Sequence, residues 1–309
     1  MRTTGTRHSG LFPGQGSQFE GMADPWTEHP AARAILDEAS GSIGRDIVAG
    51  CHDPDALATT EFVQPALLAC DVAAFGVLEA EGVPFVGVAG HSLGEFAALV
   101  AAGDVAFGDA LDLVVVRGVA MQRAGEERPG TMTALLGVGT EDAAALCDEA
   151  RDDDVLVVAN ENSPAQSVIS GSVPAIERAE ALAKERKFRA IRLNVAGAFH
   201  SSLMDPARAA IDERIDAIEF SAPRVPVAEN VVGTLVSDPA EIRSLLKRHV
   251  VSPVRWESSV RAMADAGATS FLEAGPGDVL TKLMKRIVPD EAARAIGSPA
   301  DAHAAASGG

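Results

Sequence analysis

Residues 85–103 read FVGVAGHSLGEFAALVAAG, and they place a serine between two glycines where one predicted element changes into the next. Phe85–Gly90 is a short, valine-rich apolar run, which predicts a buried strand. Glu95–Ala102 contains good helix formers and is followed by Gly103, a typical helix C-terminus. The segment Gly90–Gly94 therefore predicts a tight strand-to-helix turn.

This turn predicts an exposed hydroxyl at Ser92. Small neighbouring residues permit a sharp turn that holds the serine Oγ at the head of the helix. The helix N-terminus adds positive potential and free backbone N–H groups, which stabilise an oxygen that becomes negative. The pattern is that of a nucleophile elbow, and a glycine-rich turn without catalytic function is the alternative.

Composition restricts the classes of protein to which the chain can belong. The 309 residues suffice for two domains or for one large domain with an insertion, and 47% of them are hydrophobic. The formal net charge of −18 argues against nucleic acid and anionic membrane surfaces as partners. Three widely spaced cysteines suit buried reduced thiols better than disulfides or a metal site. No long apolar stretch or signal-peptide core is present, so we expect a cytoplasmic protein without a membrane segment.

The order of predicted elements indicates two subdomains. From Phe12 to about Arg128, and from about Ala196 to Val288, strands alternate with helices, which predicts an α/β structure with a largely parallel sheet. The intervening pattern is β-α-β-β-α-β, the split βαβ of ferredoxin-like domains. We expect a large α/β subdomain from residues 1–128 and 196–309, with a ferredoxin-like subdomain inserted at 129–195. A cleft between two such units is a common ligand site.

The C-terminal stretch SPADAHAAASGG, residues 298–309, is small and polar. It predicts a disordered tail, because such a segment offers little apolar surface to bury.

A serine needs a base to become a nucleophile, and His200 is the best candidate among seven histidines. It lies in LNVAGAFHSSLM, at the junction of the two predicted subdomains, where the cleft should be. A structural role is the alternative for an isolated histidine. His249 follows a basic helical stretch and suggests a surface residue, and the side chain of His91 is expected to point away from the apex of the turn.

Arg117 is a second unusual residue. Ala110, Val114, Arg117 and Met121 fall on one face of a predicted helix. An arginine on an apolar face is rarely buried without an anionic partner, because removing its charge from water is costly. The partner is either an acidic side chain of the protein or the carboxylate of a substrate, which a guanidinium binds through two hydrogen bonds.

Seven motifs occur in an order that resembles one family along nearly the whole chain. They are FPGQGSQ (12–18), FVQPALLA (62–69), GHSLGE (90–95), RGVAMQ (117–122), NENSPAQSVISG (160–171), AGAFHSSLM (196–204) and SPVRWESSV (252–260). The family comprises the malonyl-CoA:acyl carrier protein transacylases and the related acyltransferase domains of polyketide synthases. The resemblance implies a large α/β-hydrolase-like subdomain with an inserted ferredoxin-like one.

The resemblance also implies a reaction and its catalytic residues. A malonyl group would move from CoA to Ser92, and then to the phosphopantetheine thiol of an acyl carrier protein. His200 would act as general base and then as general acid. The backbone N–H groups of Gln15 and Leu93 would form the oxyanion hole. No metal or redox cofactor is implied, since phosphopantetheine arrives on the CoA and carrier substrates.

Further residues are implied for substrate binding. Arg117 would hold the free malonate carboxylate, Gln64 would line the pocket, and Asn162 is carried over with them. Phe199 would lie beside the acyl α-carbon, as in transferases of the malonyl type. His249 stands where the family usually has Gln or Asn: its backbone carbonyl would orient His200, and its side chain would belong to the substrate-binding pocket.

An acidic carrier protein would need a local basic cluster on a chain of this net charge. The candidates are Lys184, Arg186, Lys187 and Arg189, and a second cluster of Lys282, Lys285 and Arg286. Solvated helix faces are the alternative for both clusters. We expect a monomer.

Three other functions remain open at this point. One is an acyl hydrolase with the same fold, against which Arg117 argues. Another is a trans-acting polyketide acyltransferase that uses another dicarboxylic acyl unit or a carrier-bound acyl donor. The third is a catalytically inactive docking module. The sequence does not distinguish fatty acid from polyketide synthesis.

Overall fold

The computed structural model describes residues 6–307, and its strands form two sheets. The strands are β1 (His8–Phe12), β2 (Phe85–Gly90), β3 (Gly130–Leu136), β4 (Leu156–Ser163), β5 (Gln166–Ser172), β6 (Arg189–Arg192), β7 (Val227–Glu229), β8 (Thr234–Val236), β9 (Ser270–Ala274) and β10 (Ala292–Ile296). The helices are α1 (Pro30–Ile43), α2 (Ile47–Gly50), α3 (Pro54–Leu57), α4 (Thr60–Ala80), α5 (Gly94–Ala102), α6 (Phe107–Glu127), α7 (Thr140–Ala150), α8 (Val173–Glu185), α9 (Asp205–Ala217), α10 (Pro239–His249), α11 (Trp256–Asp265), α12 (Val279–Ile287) and α13 (Pro299–Ser307).

The larger sheet has six strands in the order β10-β9-β1-β2-β7-β8. Its neighbours pair in parallel except for β7 and β8, which are antiparallel. Strands β1 and β9 are buried along their whole length, as expected for a parallel sheet with both faces covered. The chain is therefore a mixed α/β protein whose main sheet is dominated by parallel pairs, as the alternation of strands and helices predicts.

Helix α4 is the central helix of the main core. It packs against α1, α5, α6 and α13. Among the described residues it is the one helix long and apolar enough to cross a membrane, and 89% of that stretch is buried inside the protein. Its hydrophobic length is therefore accounted for by packing within the core.

The smaller sheet contains the strands of residues 130–192. Their order is β4-β5-β3-β6, and all neighbours are antiparallel. Helices α7 and α8 cover one face and enclose a separate core that includes Leu135 and Ile169. Met132, Ala134 and Val168 lie on the other face and line a cavity. The smaller sheet thus forms one wall of that cavity.

The C-terminal stretch is helical, so the prediction of a disordered tail is wrong. Helix α13 packs against α4 and β10, and Ala302 and Ala305 are buried. The Ser298 hydroxyl caps its first turn, since it accepts from Asp301 N–H (3.3 Å) and donates to Asp301 Oδ2 (2.7 Å). The prediction took the small residues as a sign of disorder. Alanine, however, has the highest helix propensity and permits close packing. Residues 308–309 of the predicted tail lie outside the described residues.

The turn between β2 and α5 is packed tightly against the loop that follows β1. The backbone N–H of His91 donates to the carbonyl oxygen of Phe12 (2.9 Å). A Cβ on Gly94 would lie 2.1 Å from the same Phe12 oxygen, and a Cβ on Gly90 would lie 1.9 Å from the carbonyl carbon of Gly94. Both positions therefore require glycine for space. Gly103 ends α5 with a φ of 82°, as predicted.

We expect Gly94→Ala to destabilise the fold by about 3 kcal/mol or more, because an overpacked backbone contact has no flexible neighbour to move. Gly76→Ala is the control. Gly76 lies inside α4 with open space at the Cβ position, so alanine should stabilise the helix by about 0.5–1 kcal/mol. Urea unfolding of both variants measures the difference. A Gly94→Ala protein as stable as the parent would contradict the close approach of the two backbones.

Candidate active site

A cavity of about 300 Å³ lies between the two sheets. The loop after β1, the turn before α5, helix α6, the smaller sheet and helix α12 contribute its walls. Residues 6–307 contain no group of three or more histidine, cysteine or carboxylate side chains placed to hold a metal ion. The polar groups of the cavity are thus those of the residues described below.

Ser92 and His200 meet in this cavity. The Ser92 Oγ lies 2.7 Å from His200 Nε2. His200 Nδ1 faces the carbonyl oxygens of His249 (3.2 Å) and Ser252 (3.0 Å). Carbonyl oxygens only accept hydrogen bonds, so Nδ1 carries the proton and Nε2 is free to accept the serine proton. The two residues have the geometry of a nucleophile and its base.

The charge state of His200 suits this geometry. Burial, followed by the nearby charge of Arg117, lowers the pKa of His200 to about 3. The imidazole is therefore neutral at physiological pH and can accept a proton.

Both residues of the pair have a left-handed backbone. The φ of Ser92 is 51° and that of His200 is 57°. Such a conformation costs a non-glycine residue about 1–3 kcal/mol and persists only where the surrounding structure enforces it. Strain of this kind is typical of active sites, and here it affects both members of the pair.

Two backbone N–H groups beside Ser92 are available to a ligand. Gln15 and Leu93 both line the cavity, and within residues 6–307 neither N–H donates to another protein group. In the same loop, Gly16 N–H is used by Gln18 Oε1 at 2.6 Å. A Cβ on Gly14 would lie 2.3 Å from the His91 oxygen and 3.6 Å from the Leu93 nitrogen, so the two N–H-bearing segments are in close contact. This arrangement resembles an oxyanion hole.

Arg117 is a buried cation at the base of the cavity. It is 2% exposed, and its Nη1 donates to Gln64 Oε1 (2.7 Å) while Nη2 donates to Ser92 Oγ (3.3 Å). Its Nε has no hydrogen-bond partner, and no carboxylate of the described residues lies at ion-pair distance. Burial lowers the pKa of Arg117 to about 10, partly opposed by Glu95, so the guanidinium stays charged at pH 7. The alternative of a structural salt bridge, left open by the sequence, does not hold.

The other expected pocket residues lie around this centre. Gln64, Phe199 and Asn162 line the cavity. Gln64 and Phe199 are 1% and 7% exposed, so they form its inner wall. Asn162 Oδ1 accepts from His91 Nε2 (2.8 Å).

His249 differs from the two expectations for its side chain. It is 2% exposed, so it is not a surface residue. Its ring packs edge-on against His200 and Phe96 and is absent from the cavity wall, so the imidazole is not a substrate contact. Desolvation lowers the pKa of this ring well below its usual value. The polar group of His249 that reaches the catalytic centre is its carbonyl oxygen, which faces His200 Nδ1.

Two residues of the site were missed or misplaced by sequence reasoning. His91, expected to point away, lines the cavity, and its ring packs at a tilt of 60° against Trp256 with ring centroids 5.4 Å apart. Asn230 was not identified, although its Oδ1 accepts from Ser92 N–H at 2.7 Å. These two residues are 138 positions apart, and no motif spacing relates them.

The two basic clusters lie on different sides of the cavity. Helix α12 carries Lys282, Lys285 and Arg286 on its exposed side, while its Leu280 and Leu283 line the cavity. Helix α8 covers the face of the smaller sheet that turns away from the cavity. The second cluster comprises Lys184, Arg186, Lys187 and Arg189, which are all exposed. The α12 cluster is therefore next to the cavity, whereas Lys184 of the second cluster lies on a helix that the smaller sheet separates from it.

Comparisons with known proteins agree with this geometry. The model of the acyl transferase domain family matches residues 11–300. A malonyl CoA-acyl carrier protein transacylase of Salmonella typhimurium is 41% identical over 306 residues, which cover 97% of this chain and 99% of the relative. The crystal structure of an acyl-carrier-protein S-malonyltransferase from Burkholderia pseudomallei is 40% identical, with a TM-score of 0.93 over 98% of this chain and 100% of the other.

A solved complex adds a partner to these similarities. It contains a malonyl-transacylase bound to a type II polyketide synthase acyl carrier protein. The matched chain is 36% identical, with a TM-score of 0.94 over 98% of this chain and 100% of that one. The family match spans most of the chain, and the relatives align nearly end to end. The chain therefore belongs to the acyl transferase domain family.

Proposed function

We propose that the chain is a malonyl-CoA:acyl carrier protein transacylase. The observation that carries this proposal is a serine Oγ held 2.7 Å from a neutral histidine and 3.3 Å from a buried guanidinium. The names of the Salmonella and Burkholderia relatives support the acyl group and the acceptor. The carrier complex of a further relative supports the partner.

The first half-reaction follows from the positions of Ser92 and His200. The Ser92 Oγ attacks the thioester carbonyl of malonyl-CoA while its proton passes to His200 Nε2. The negative oxygen of the tetrahedral intermediate accepts from the N–H groups of Gln15 and Leu93. The C–S bond then breaks, His200 returns the proton to the CoA sulfur, and the malonyl group remains on Ser92.

The second half-reaction reverses these proton transfers with a different thiol. The phosphopantetheine thiol of the carrier gives its proton to His200 and attacks the ester carbonyl. The bond to Ser92 Oγ breaks, and the serine recovers the proton. The kinetics are therefore ping-pong.

Arg117 selects an acyl group with a free carboxylate. Its Nη1 and Nη2 can both donate to such a carboxylate, which would supply the ion-pair partner that residues 6–307 do not provide at ion-pair distance. A bound carboxylate would also offset the Arg117 charge, one of the causes that lower the pKa of His200. The base should therefore become stronger when the dicarboxylic acyl group is in place. A hydrolase of unsubstituted acyl chains would have no use for this residue.

The domain organisation is part of the proposal. The strand order β4-β5-β3-β6, with two helices on one face, supports a ferredoxin-like subdomain at 129–195. In this proposal the described residues of the predicted ranges 1–128 and 196–309 form the larger, hydrolase-like subdomain. A monomeric state, a cytoplasmic location and the absence of a cofactor stay predictions, as does the use of another dicarboxylic acyl unit in polyketide synthesis.

The carrier protein docks on helix α12 in this proposal. Lys285 and Arg286 are exposed on a helix whose opposite side lines the cavity, so an acidic partner there would direct its pantetheine arm towards Ser92. Lys282 is less available because it pairs with Asp278 (2.7 Å).

We expect Ser92→Ala to abolish acyl-enzyme formation and His200→Ala to slow it by several orders of magnitude, on the order of 10⁶-fold where nucleophile and base act as a unit. Mass spectrometry of the protein after incubation with malonyl-CoA detects the added acyl group. His52→Ala, an exposed histidine paired with Asp24, is the control and should acylate normally. A Ser92→Ala protein that still gained malonyl mass would show that another residue is the nucleophile.

Arg117→Met should lower malonyl loading by roughly 100-fold or more while acetyl loading changes less than about threefold. The reason is that only malonyl has the carboxylate that the guanidinium pairs with. The exposed Arg123→Met on the same helix is the matched control. Competition between malonyl-CoA and acetyl-CoA for Ser92 gives the two rates. If acetyl loads the parent enzyme as well as malonyl does, Arg117 has a structural role.

The double variant Lys285→Glu, Arg286→Glu should raise the carrier-protein KM about tenfold and leave the malonyl-CoA half-reaction unchanged, because the charges act on encounter with the carrier. The matched charge reversal is Lys184→Glu, Lys187→Glu, called the α8 pair because Lys184 lies in the last turn of α8 and Lys187 lies two residues after the helix ends. Transfer assays at two ionic strengths compare them. A larger effect from the α8 pair would refute docking on α12.

A further inference from the structure

Asn230 joins three points of the turn that carries Ser92. Its Oδ1 accepts from Ser92 N–H (2.7 Å), and its Nδ2 donates to the carbonyl oxygen of Gly90 (2.7 Å). Its own backbone N–H donates to Glu95 Oε2 (2.6 Å). One residue thereby connects the end of β2, the serine and the first turn of α5.

These contacts are made away from the substrate. Asn230 is 1% exposed and is not among the residues that line the cavity. Its side-chain oxygen and nitrogen each make one hydrogen bond to the turn, and the one acceptor and one donor position left on the amide are not at the cavity wall. Any influence on the reaction must therefore pass through the backbone of Ser92.

The backbone of Ser92 needs such a support. Its φ of 51° is unfavourable for a residue with a Cβ, so the turn tends to relax towards an ordinary conformation unless something holds it. Relaxation would rotate the Cα–Cβ bond and move Oγ away from its partners. The hydrogen bond from Ser92 N–H to Asn230 opposes that rotation. Because this N–H is occupied, the unused N–H in the turn is that of Leu93.

Glu95 anchors Asn230 from the other side. Glu95 is fully buried, and its Oε2 accepts the Asn230 N–H while Oε1 lies 3.8 Å from His249 Nε2. Burial raises the pKa of Glu95 to about 7. Oε2 can accept a hydrogen bond in the ionised form and in the protonated form, so the anchor does not depend on titration.

We propose that Asn230 is a positioning residue, which holds the Ser92 backbone in its left-handed conformation and so keeps Oγ between His200 and Arg117. The proposal rests on the proposed function only in taking Ser92 as the nucleophile. It makes Asn230 responsible for the rate of acylation and not for the affinity of the acyl donor.

A purely structural role would have a different signature. If Asn230 only stabilised the fold, its variants would unfold more easily, but the folded molecules would acylate at the parent rate. If it shaped the pocket, the malonyl-CoA affinity would change. The two quantities are measured separately: the acylation rate constant at saturating malonyl-CoA, and the Kd of malonyl-CoA in a Ser92→Ala background, where no reaction occurs.

Asn230→Ala should lower the acylation rate constant about 50-fold and change the Kd less than threefold. Thr133→Val is the control, since it removes one partly buried hydrogen bond (to Glu180, 2.7 Å) on the face of the smaller sheet away from the cavity. Its rate should stay within twofold of the parent. If Asn230→Ala does not fold, Asn230→Asp replaces it. Aspartate keeps the acceptor for Ser92 N–H but loses the donor to Gly90, so its rate should fall about tenfold.

The same variants are also treated with a fluorophosphonate, which labels an activated serine whatever its natural acyl donor. Labelling of Asn230→Ala should be slowed as much as acylation. The labelling experiment separates the proposed function from the positioning role of Asn230. If malonyl-CoA fails to load the parent, the proposed function is wrong, and the labelling rates still test Asn230. Folded Asn230 variants that label and acylate at the parent rate, or that differ only in Kd, overturn the positioning role.

Discussion

The close approach of two backbone segments is the constraint on which the site depends. The turn after β2 touches the loop after β1 through the hydrogen bond from His91 to Phe12, and Gly94 has no room for a side chain there. This contact brings the N–H groups of Gln15 and Leu93 to the same side of Ser92. It also sets where α5 begins, and therefore where the positive end of that helix lies. A parallel pairing of β1 with β2 is what delivers both segments to one edge of the sheet.

The electrostatic potential at the bottom of the cavity is set by the positive charge of Arg117, which is buried without a carboxylate at ion-pair distance within the described residues. Glu95, whose charge partly opposes the lowering of the Arg117 pKa, is itself fully buried. Glu95 and Glu229 interact with each other, and desolvation raises the pKa of Glu229 well above its usual value. These carboxyl groups therefore carry less negative charge than their number suggests. The positive charge of the guanidinium remains available at the point where Ser92 Oγ lies.

Local sequence patterns predicted much of this arrangement, but they did not predict the contacts between residues that are far apart in the sequence. The strand, turn and helix around Ser92 follow from apolar runs and glycines that are close in sequence, and so does the buried face that contains Arg117. The partners that hold the site arrive from distant segments: Asn230 follows β7, and the carbonyl of Ser252 follows α10. A backbone carbonyl leaves no signature in residue type, so spacing could not indicate it. His249 was misjudged because a basic flank suggests exposure, whereas the histidine ends a helix that turns its last residue inward.

The fixed position of His200 determines how the two thiol substrates can use the cavity. Two carbonyl oxygens hold its ring, so the base serves both half-reactions from one place, and the CoA and carrier thiols have to reach the same point in turn. Each thiol carrier can therefore block the other: the carrier protein by occupying the free enzyme, and CoA or its thioester by occupying the acyl-enzyme. The rate of such an enzyme depends on the ratio of malonyl-CoA to carrier protein with a free thiol. An excess of either substrate slows turnover. The two carbonyl oxygens that fix the His200 ring thus make the enzyme sensitive to the relative concentrations of its two substrates.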